Sequence, residues 1–297
     1  MTKTMSYYPG CSSQATGVHL DTSLRAVMVK LGITFREIED WNCCGASVGH
    51  ICAGETPVLA LSGRNLANAR AAGPEDVVTP CAACYLNTHH TNEEIRDHAE
   101  VKAEVNEALA EGGKSYDGSL LVRHACEVIV NDIGLDAVKA QVTNPLSGLK
   151  VAGWVGCQTV RPFAATERGG NWTTYDDPSF LDDFTTACGA EAVPFTGKTK
   201  CCGGSVAVIS PEKAMGLMKD ILDEAKALGA DVISTPCPLC QTNLEMYQPA
   251  INKQFGTDFN IPVVFYSQLM AVAFGMGADA ALGQHLIAPD VVSARVK

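Results

Sequence analysis

Three short cysteine-bearing segments occur twice in this chain, each time in the same order. Met5-Ser6-Tyr7-Tyr8-Pro9-Gly10-Cys11 is matched by Val151-Ala152-Gly153-Trp154-Val155-Gly156-Cys157, a strand-like run that ends in Gly-Cys both times. Asn42-Cys43-Cys44-Gly45-Ala46-Ser47 returns as Lys200-Cys201-Cys202-Gly203-Gly204-Ser205. Val77-Val78-Thr79-Pro80-Cys81-Ala82-Ala83-Cys84 returns as Ile233-Ser234-Thr235-Pro236-Cys237-Pro238-Leu239-Cys240, and Asn87 and Asn243 each stand three positions past the last cysteine. The offsets are 146 (Cys11 to Cys157), 158 (Cys43 to Cys201) and 156 (Cys81 to Cys237). Ordered self-similarity of this kind marks a duplicated unit, so the chain is committed to two related halves. Its 297 residues allow each half a core of its own. The growth in offset places an insertion of about a dozen residues between Cys157 and Cys201, naturally at Arg168-Gly169-Gly170-Asn171-Trp172-Thr173-Thr174-Tyr175.

The residues between the motifs alternate in character. Ala26 to Leu31 ends an amphipathic helix stopped by Gly32, and Ile33-Thr34-Phe35 begins a strand. Pro57 to Ala72 reads as a helix, Val77-Val78 as a buried strand, and Ala82 onward as a long helix. The second half repeats the pattern with Pro211 to Leu228, Val232-Ile233 and Leu239 to Phe255. Alternation of this kind implies parallel strands joined by crossover helices. The expected fold is therefore α/β: two pseudo-symmetric α/β domains with short parallel sheets flanked by helices. They span residues 1–118 and 149–297, with a helical connection over 119–148. Both Thr-Pro-Cys-x-x-Cys motifs fall where a strand hands over to a helix, the usual place for a site in an open α/β sheet. A helix N-terminus there turns free N–H groups and a positive dipole end towards thiolates.

Composition closes off several functions. A net charge of −11 leaves no basic stripe to neutralise phosphates, so nucleic acid is not an expected partner. No apolar run approaches the roughly 18 residues of a membrane span. Met1-Thr2-Lys3-Thr4-Met5 leads directly into the first motif without a signal-peptide core, which predicts a cytoplasmic protein. Thiols there are kept reduced, so thirteen cysteines call for metal or redox chemistry.

Ten of those cysteines form two sets of five: Cys11, Cys43, Cys44, Cys81 and Cys84, then Cys157, Cys201, Cys202, Cys237 and Cys240. Disulfides fit badly, because neighbours such as Cys43 and Cys44 are hard to join without strain. A four-cysteine zinc site, or a ribbon-like site using one C-x-x-C from each half, would leave the vicinal pairs and both Gly-Cys positions idle. A thioredoxin-like dithiol at Cys81 and Cys84 is a further alternative, although Thr-Pro ahead of it matches no standard redox helix. Iron–sulfur ligation uses every position, since a centre with several irons takes more than four thiolates.

The pattern C-x31-CC-x36-C-x2-C, followed by C-x43-CC-x34-C-x2-C, resembles the duplicated cysteine-rich (CCG) domains of the heterodisulfide reductase B-subunit family, from Tyr7 to about Phe274. The likeness extends to Gly45 and Gly203, to Gly156-Cys157-Gln158 followed by Arg161-Pro162, and to Lys198-Thr199-Lys200-Cys201-Cys202-Gly203-Gly204-Ser205. It implies two [4Fe-4S] clusters of noncubane type, one held by each set of five cysteines, and a disulfide substrate split between them. It also implies the catalytic iron–sulfur subunit of a larger complex. No C-x-x-C-x-x-C-x-x-x-C run or strand-following G-x-G-x-x-G is present, so cubane clusters and flavin would belong to other chains. The resemblance makes these the ferredoxin-like C subunit and the flavin-containing A subunit of a heterodisulfide reductase. The alternative is an electron-transfer subunit of a lactate, succinate or sulfur-metabolism oxidoreductase with no disulfide substrate of its own.

Three further side chains are candidates for the chemistry. His124, expected in a helix, is a proton donor to a product thiolate, against the alternative of a hydrogen-bonded structural histidine. Arg161 and Lys198 are candidates to hold an acidic substrate group, against structural ion pairing. Trp41 and Trp154 are expected to shield the clusters. Cys52, Cys126 and Cys188 have no partner in the repeat and read as small buried hydrophobes.

Overall fold

Residues 3–46, 49, 52, 54–160, 173–204 and 206–297 are described by the computed structural model. Lys3–Tyr7 forms β1, and its Met5, Ser6 and Tyr7 are buried because it is an interior strand with a neighbour on each side. A short 3-10 turn over Cys11–Gln14 leads into α1, Val18–Lys30, which stops at Leu31 before β2, Ile33–Glu37. Then come α2 (Thr56–Ala72), β3 (Val77–Thr79), α3 (Ala82–Asp97), α4 (Ala99–Ala110) and β4 (Val122–His124). The first sheet is wholly parallel with strand order β2-β1-β3-β4.

The chain crosses to the second half through α5 (Ala125–Val128), a π turn over Ile129–Ile133 and α6 (Leu135–Gln141). There β5 (Lys150–Gly153), α7 (Phe180–Ala187), β6 (Glu191–Ala192), α8 (Val206–Ile209), α9 (Pro211–Ala227), β7 (Val232–Thr235), α10 (Pro238–Phe255), β8 (Val263–Phe265) and α11 (Tyr266–Ala273) follow. The second sheet, β6-β5-β7-β8, is parallel and repeats the order of the first. Two short parallel sheets flanked by helices are thus present, as expected.

Two local expectations change. The stretch 119–148, read as a helical connection, contains β4, which pairs with β3 through Val77↔Val122 and Thr79↔His124 and completes the first sheet. His124 consequently ends a strand instead of lying within a helix. Three residues with Arg123 in the middle are too short to declare a period-2 pattern, and tertiary pairing decides their state. Residues 161–172, which include Arg161 and the first five residues of the inserted segment Arg168–Tyr175, lie outside the described residues.

The halves share their apolar interior. Helix α1 packs on α11, and one buried cluster joins Met5, Leu20 and Leu24 of the first half to Phe265, Leu269 and Met270 of the second. At the seam the Ser23 and Ser267 hydroxyls lie 2.7 Å apart, both fully buried. A second cluster runs through Cys44, Cys81 and Cys84 to Cys202, Cys237 and Cys240. Among the described residues no helix is long and apolar enough to cross a membrane.

Candidate functional site

Each half builds its cysteine set from three pieces. The strand ahead of the Gly-Cys turn, β1 or β5, runs directly into an aromatic residue whose ring reaches the loop carrying the vicinal pair. Tyr8 Oη donates to the Asn42 carbonyl at 2.8 Å, and Trp154 Nε1 donates to the Lys200 carbonyl at 3.1 Å. Trp154 is therefore the structural counterpart of Tyr8. Trp41 sits edge-on to Tyr8 with ring centroids 5.8 Å apart and donates to Glu37.

The Gly-Cys glycines come next. Gly10 and Gly156 have φ of 76° and 75°, a region that L side chains rarely adopt. A β-carbon on Gly10 would stand 2.7 Å from the Cys84 sulfur, and one on Gly156 3.2 Å from the Cys240 sulfur. Glycine at this position lets the second thiol of each C-x-x-C pass beneath the turn. Cys81 and Cys237 flank the N-termini of α3 and α10, as the strand-to-helix reading required.

The ten thiols form one continuous track. Hydrogen-bonding contacts lead from Cys11 to Cys43, Cys44, Cys84 and Cys81, then across the seam to Cys237, and on to Cys240, Cys202, Cys201 and Cys157. Cys43 and Cys11 are 4.0 Å apart and Cys202 and Cys240 3.6 Å. Cys11 and Cys201 are exposed, whereas Cys81 and Cys237 in the middle are 4% and 2% exposed. The cross-seam contact between Cys81 and Cys237 brings the two C-x-x-C motifs together.

Crowding governs the acidity of these thiols. Hydrogen bonds from Cys43 and Cys201 respectively, then burial, push Cys44 and Cys202 up to about 12. Neighbouring thiols and burial likewise raise Cys11, Cys84, Cys157 and Cys240. Cys237 runs the other way: contacts from Cys240 and Cys81 and the backbone N–H groups of Cys240 and Leu239 hold its pKa well below the usual thiol range. Deprotonating all ten would concentrate negative charge in a mostly buried strip. Soft, cationic iron is the chemical complement of such a donor set, so the residue types present fit iron–sulfur ligation. Among the described residues no group of three or more His, Cys, Asp and Glu side chains converges on one ion position.

The other candidate residues fare differently. Nδ1 of His124 accepts from the Cys126 backbone N–H at 3.1 Å, capping α5, and the ring hydrogen-bonds the Pro80 carbonyl. Complete burial lowers its pKa to about 4, against the nearby Cys237 charge, so the ring is neutral near pH 7. These contacts place the ring between the end of β4 and the Pro80-Cys81 turn. Lys198 Nζ is 2.7 Å from both Asp177 and Asp182, and its carbonyl accepts from the Gly156 N–H at 2.9 Å. Burial opposes its charge, but the two carboxylates outweigh that and raise its pKa. Lys198 is thus ion-paired twice beside the Gly156-Cys157 turn. Cys126 and Cys188 are buried, as expected of small hydrophobes, while Cys52 is half-buried.

Two matched five-thiol sets on a duplicated α/β frame define a duplicated cysteine-rich protein. The cysteine-rich CCG domain matches residues 5–88 and again 151–245. The 8-methylmenaquinol:fumarate reductase membrane anchor subunit of Wolinella succinogenes is 33% identical, over 94% of this chain and 94% of its own length. The B subunit of the ferredoxin/F(420)H(2)-dependent CoB-CoM heterodisulfide reductase of Methanosarcina acetivorans is 32% identical over 93% of this chain and 90% of its own. A crystal structure of a hypothetical protein from Helicobacter pylori superposes with a TM-score of 0.73 at 17% identity, and 96% of this chain covers about half (52%) of that one. The chain belongs to the heterodisulfide reductase B-subunit family and carries the cysteine-rich CCG domain twice.

Proposed function

We propose that this chain is the catalytic iron–sulfur subunit of a cytoplasmic heterodisulfide reductase-type complex. Each half holds one noncubane [4Fe-4S] cluster through its five cysteines. The reaction is reductive cleavage of a disulfide, or its reverse: RS–SR′ takes two electrons and two protons to give RSH and R′SH. The observation that carries this reading is the unbroken track of two complete five-thiol sets meeting at Cys81 and Cys237. Bound clusters would supply the electrons one from each half. The protein's own contribution is to hold the sets in contact, bury their junction and leave sulfur accessible at Cys11 and Cys201. The disulfide would lie between the two centres, each half capturing one sulfur. The two protons would come from solvent beside the exposed Cys11 and Cys201. A ferredoxin-like C subunit and a flavin-containing A subunit would deliver the electrons.

A second reading is favoured by the likeness to a fumarate reductase membrane anchor subunit: the same track relays electrons to a partner and splits no disulfide. Anaerobic protein should hold about eight irons, following from two four-iron centres, and a paramagnetic signal on oxidation. With a chemical reductant and the coenzyme M–coenzyme B heterodisulfide, or a panel of small disulfides, it should release two thiols per disulfide. Iron-loaded protein that accepts and passes electrons but releases no thiol would establish the relay. Zinc in place of iron would end both readings.

A further inference from the structure

Beyond the cysteines and glycines, the two halves share an asparagine one helical turn past each C-x-x-C: Asn87 in α3 and Asn243 in α10. At i and i+3 it lies on the same helix face as Cys84 or Cys240, pointing at the vicinal-pair loop. Both amides reach the carbonyl of the second vicinal cysteine, but only Asn243 also reaches that cysteine's sulfur. Asn87 Nδ2 donates to the Cys44 carbonyl at 3.3 Å. Asn243 Nδ2 lies 3.2 Å from the Gly204 carbonyl, 3.4 Å from the Cys202 carbonyl and 3.5 Å from the Cys202 sulfur itself. Asn243 is 4% exposed, whereas Asn87 is half-buried. The backbone N–H of Gly204 also points at the Cys202 sulfur, at 3.4 Å, and that of Gly203 at the Cys201 sulfur, at 3.3 Å.

We infer that Asn243 is a positioning residue for the second iron–sulfur centre, holding Cys202 in place and raising that centre's reduction potential above the first. The inference rests on the proposed reading of one centre per half. Reduction adds negative charge that spreads onto the cysteine sulfurs, and an N–H dipole aimed at a sulfur stabilises that charge. Burial strengthens the effect, since little water is present to screen the dipole. In the first half the equivalent amide is turned onto a carbonyl and half-exposed, so it fixes the loop and acts on the sulfur only from a distance. Electrons entering the track then settle towards Cys202, giving the pseudo-symmetric molecule a direction.

Redox titration of the whole chain, followed by paramagnetic resonance with iron counted in parallel, tests this. Asn243→Leu should keep its iron and lower one midpoint potential while leaving the other in place. The expected size is about a tenfold change in the reduced-to-oxidised ratio at fixed potential, or about 59 mV for a one-electron couple. Asn87→Leu should shift the other centre by less. If Asn243→Leu fails to fold, the isosteric Asn243→Asp, which removes the donor and adds charge, should lower the same potential further. Loss of iron from the second centre alone would also support the role. Full iron with both potentials unmoved, or both moved equally, overturns the inference. Wild-type protein without iron overturns the two-centre reading and the inference together.

Discussion

Gly10 stands with its backbone at φ 76° and the Cys84 sulfur filling the space where a side chain would begin. Gly10→Ala therefore meets two costs at once, a strained backbone and a displaced thiol, and should destabilise the protein by about 1–3 kcal/mol. It should also lose iron from the first half, while Gly156→Ala, with more room at 3.2 Å, loses less. Thermal unfolding and iron counts on both variants read this, and normal iron in Gly10→Ala would refute it. His19 gives a second prediction at this scale. It is 1% exposed, and neither ring nitrogen has a hydrogen-bond partner among the described residues. Its ring lies against Phe265 at 4.8 Å and His285 at 4.6 Å. Burial, then the neighbouring His285, lowers its pKa from 6.5 to about 3. Below pH 6.5 the unfolded chain takes up a proton that the folded one refuses until about pH 3, so stability is full above 6.5 and falls as pH drops through that window. The slope is at most roughly 1.4 kcal/mol per pH unit for this residue. His19→Leu should flatten it while costing little at pH 7, because no hydrogen bond is lost. Denaturant titrations between pH 7 and 4 measure both, and an unchanged slope would show that another group dominates.

At the scale of elements, α3 and α10 begin one residue after the first cysteine of each C-x-x-C, and this much is written in the sequence. A buried Val-Val or Val-Ile run, Thr-Pro and then a long amphipathic stretch allow few alternatives. The extents of α2 and α9 follow for the same reason: Pro near the start and Gly soon after the end. The shortest strands are not legible. Glu191–Ala192 carries no pattern of its own, and Val122–His124 reads as part of a helical stretch until β3 supplies its hydrogen-bond partners. The matched asparagines were visible as a repeat, but their task was not. It depends on the vicinal-pair loop folding back over α3 and α10, which no local signal announces. His124 and Lys198 show a related limit: residue type and proximity to a motif suggest chemistry, but their partners, the Cys126 backbone for His124 and Asp177 and Asp182 for Lys198, are supplied by tertiary structure.

For the molecule as a whole, the same seam joins the two interiors and the two cysteine sets. Helix α1 belongs to the first half by sequence, yet it buries its apolar face on α11 of the second. Neither half closes its core alone, so unfolding should be a single cooperative transition despite the duplicated architecture. The Ser23–Ser267 contact at 2.7 Å lies at the centre of that seam, with both residues fully buried. Ser23→Leu forces extra methyl groups into the closed interface and strands the Ser267 hydroxyl, which should cost about 2–4 kcal/mol. Because Cys81 and Cys237 interact across the seam between the halves, the centre proposed for each half should be lost together with the other as the variant is warmed. Calorimetry run alongside absorbance of bound iron distinguishes the cases. One transition, shifted down and coincident with loss of all the iron, is expected. Two separated transitions, each releasing half the iron, would mean that the halves fold independently and that the sulfur track forms only after they meet.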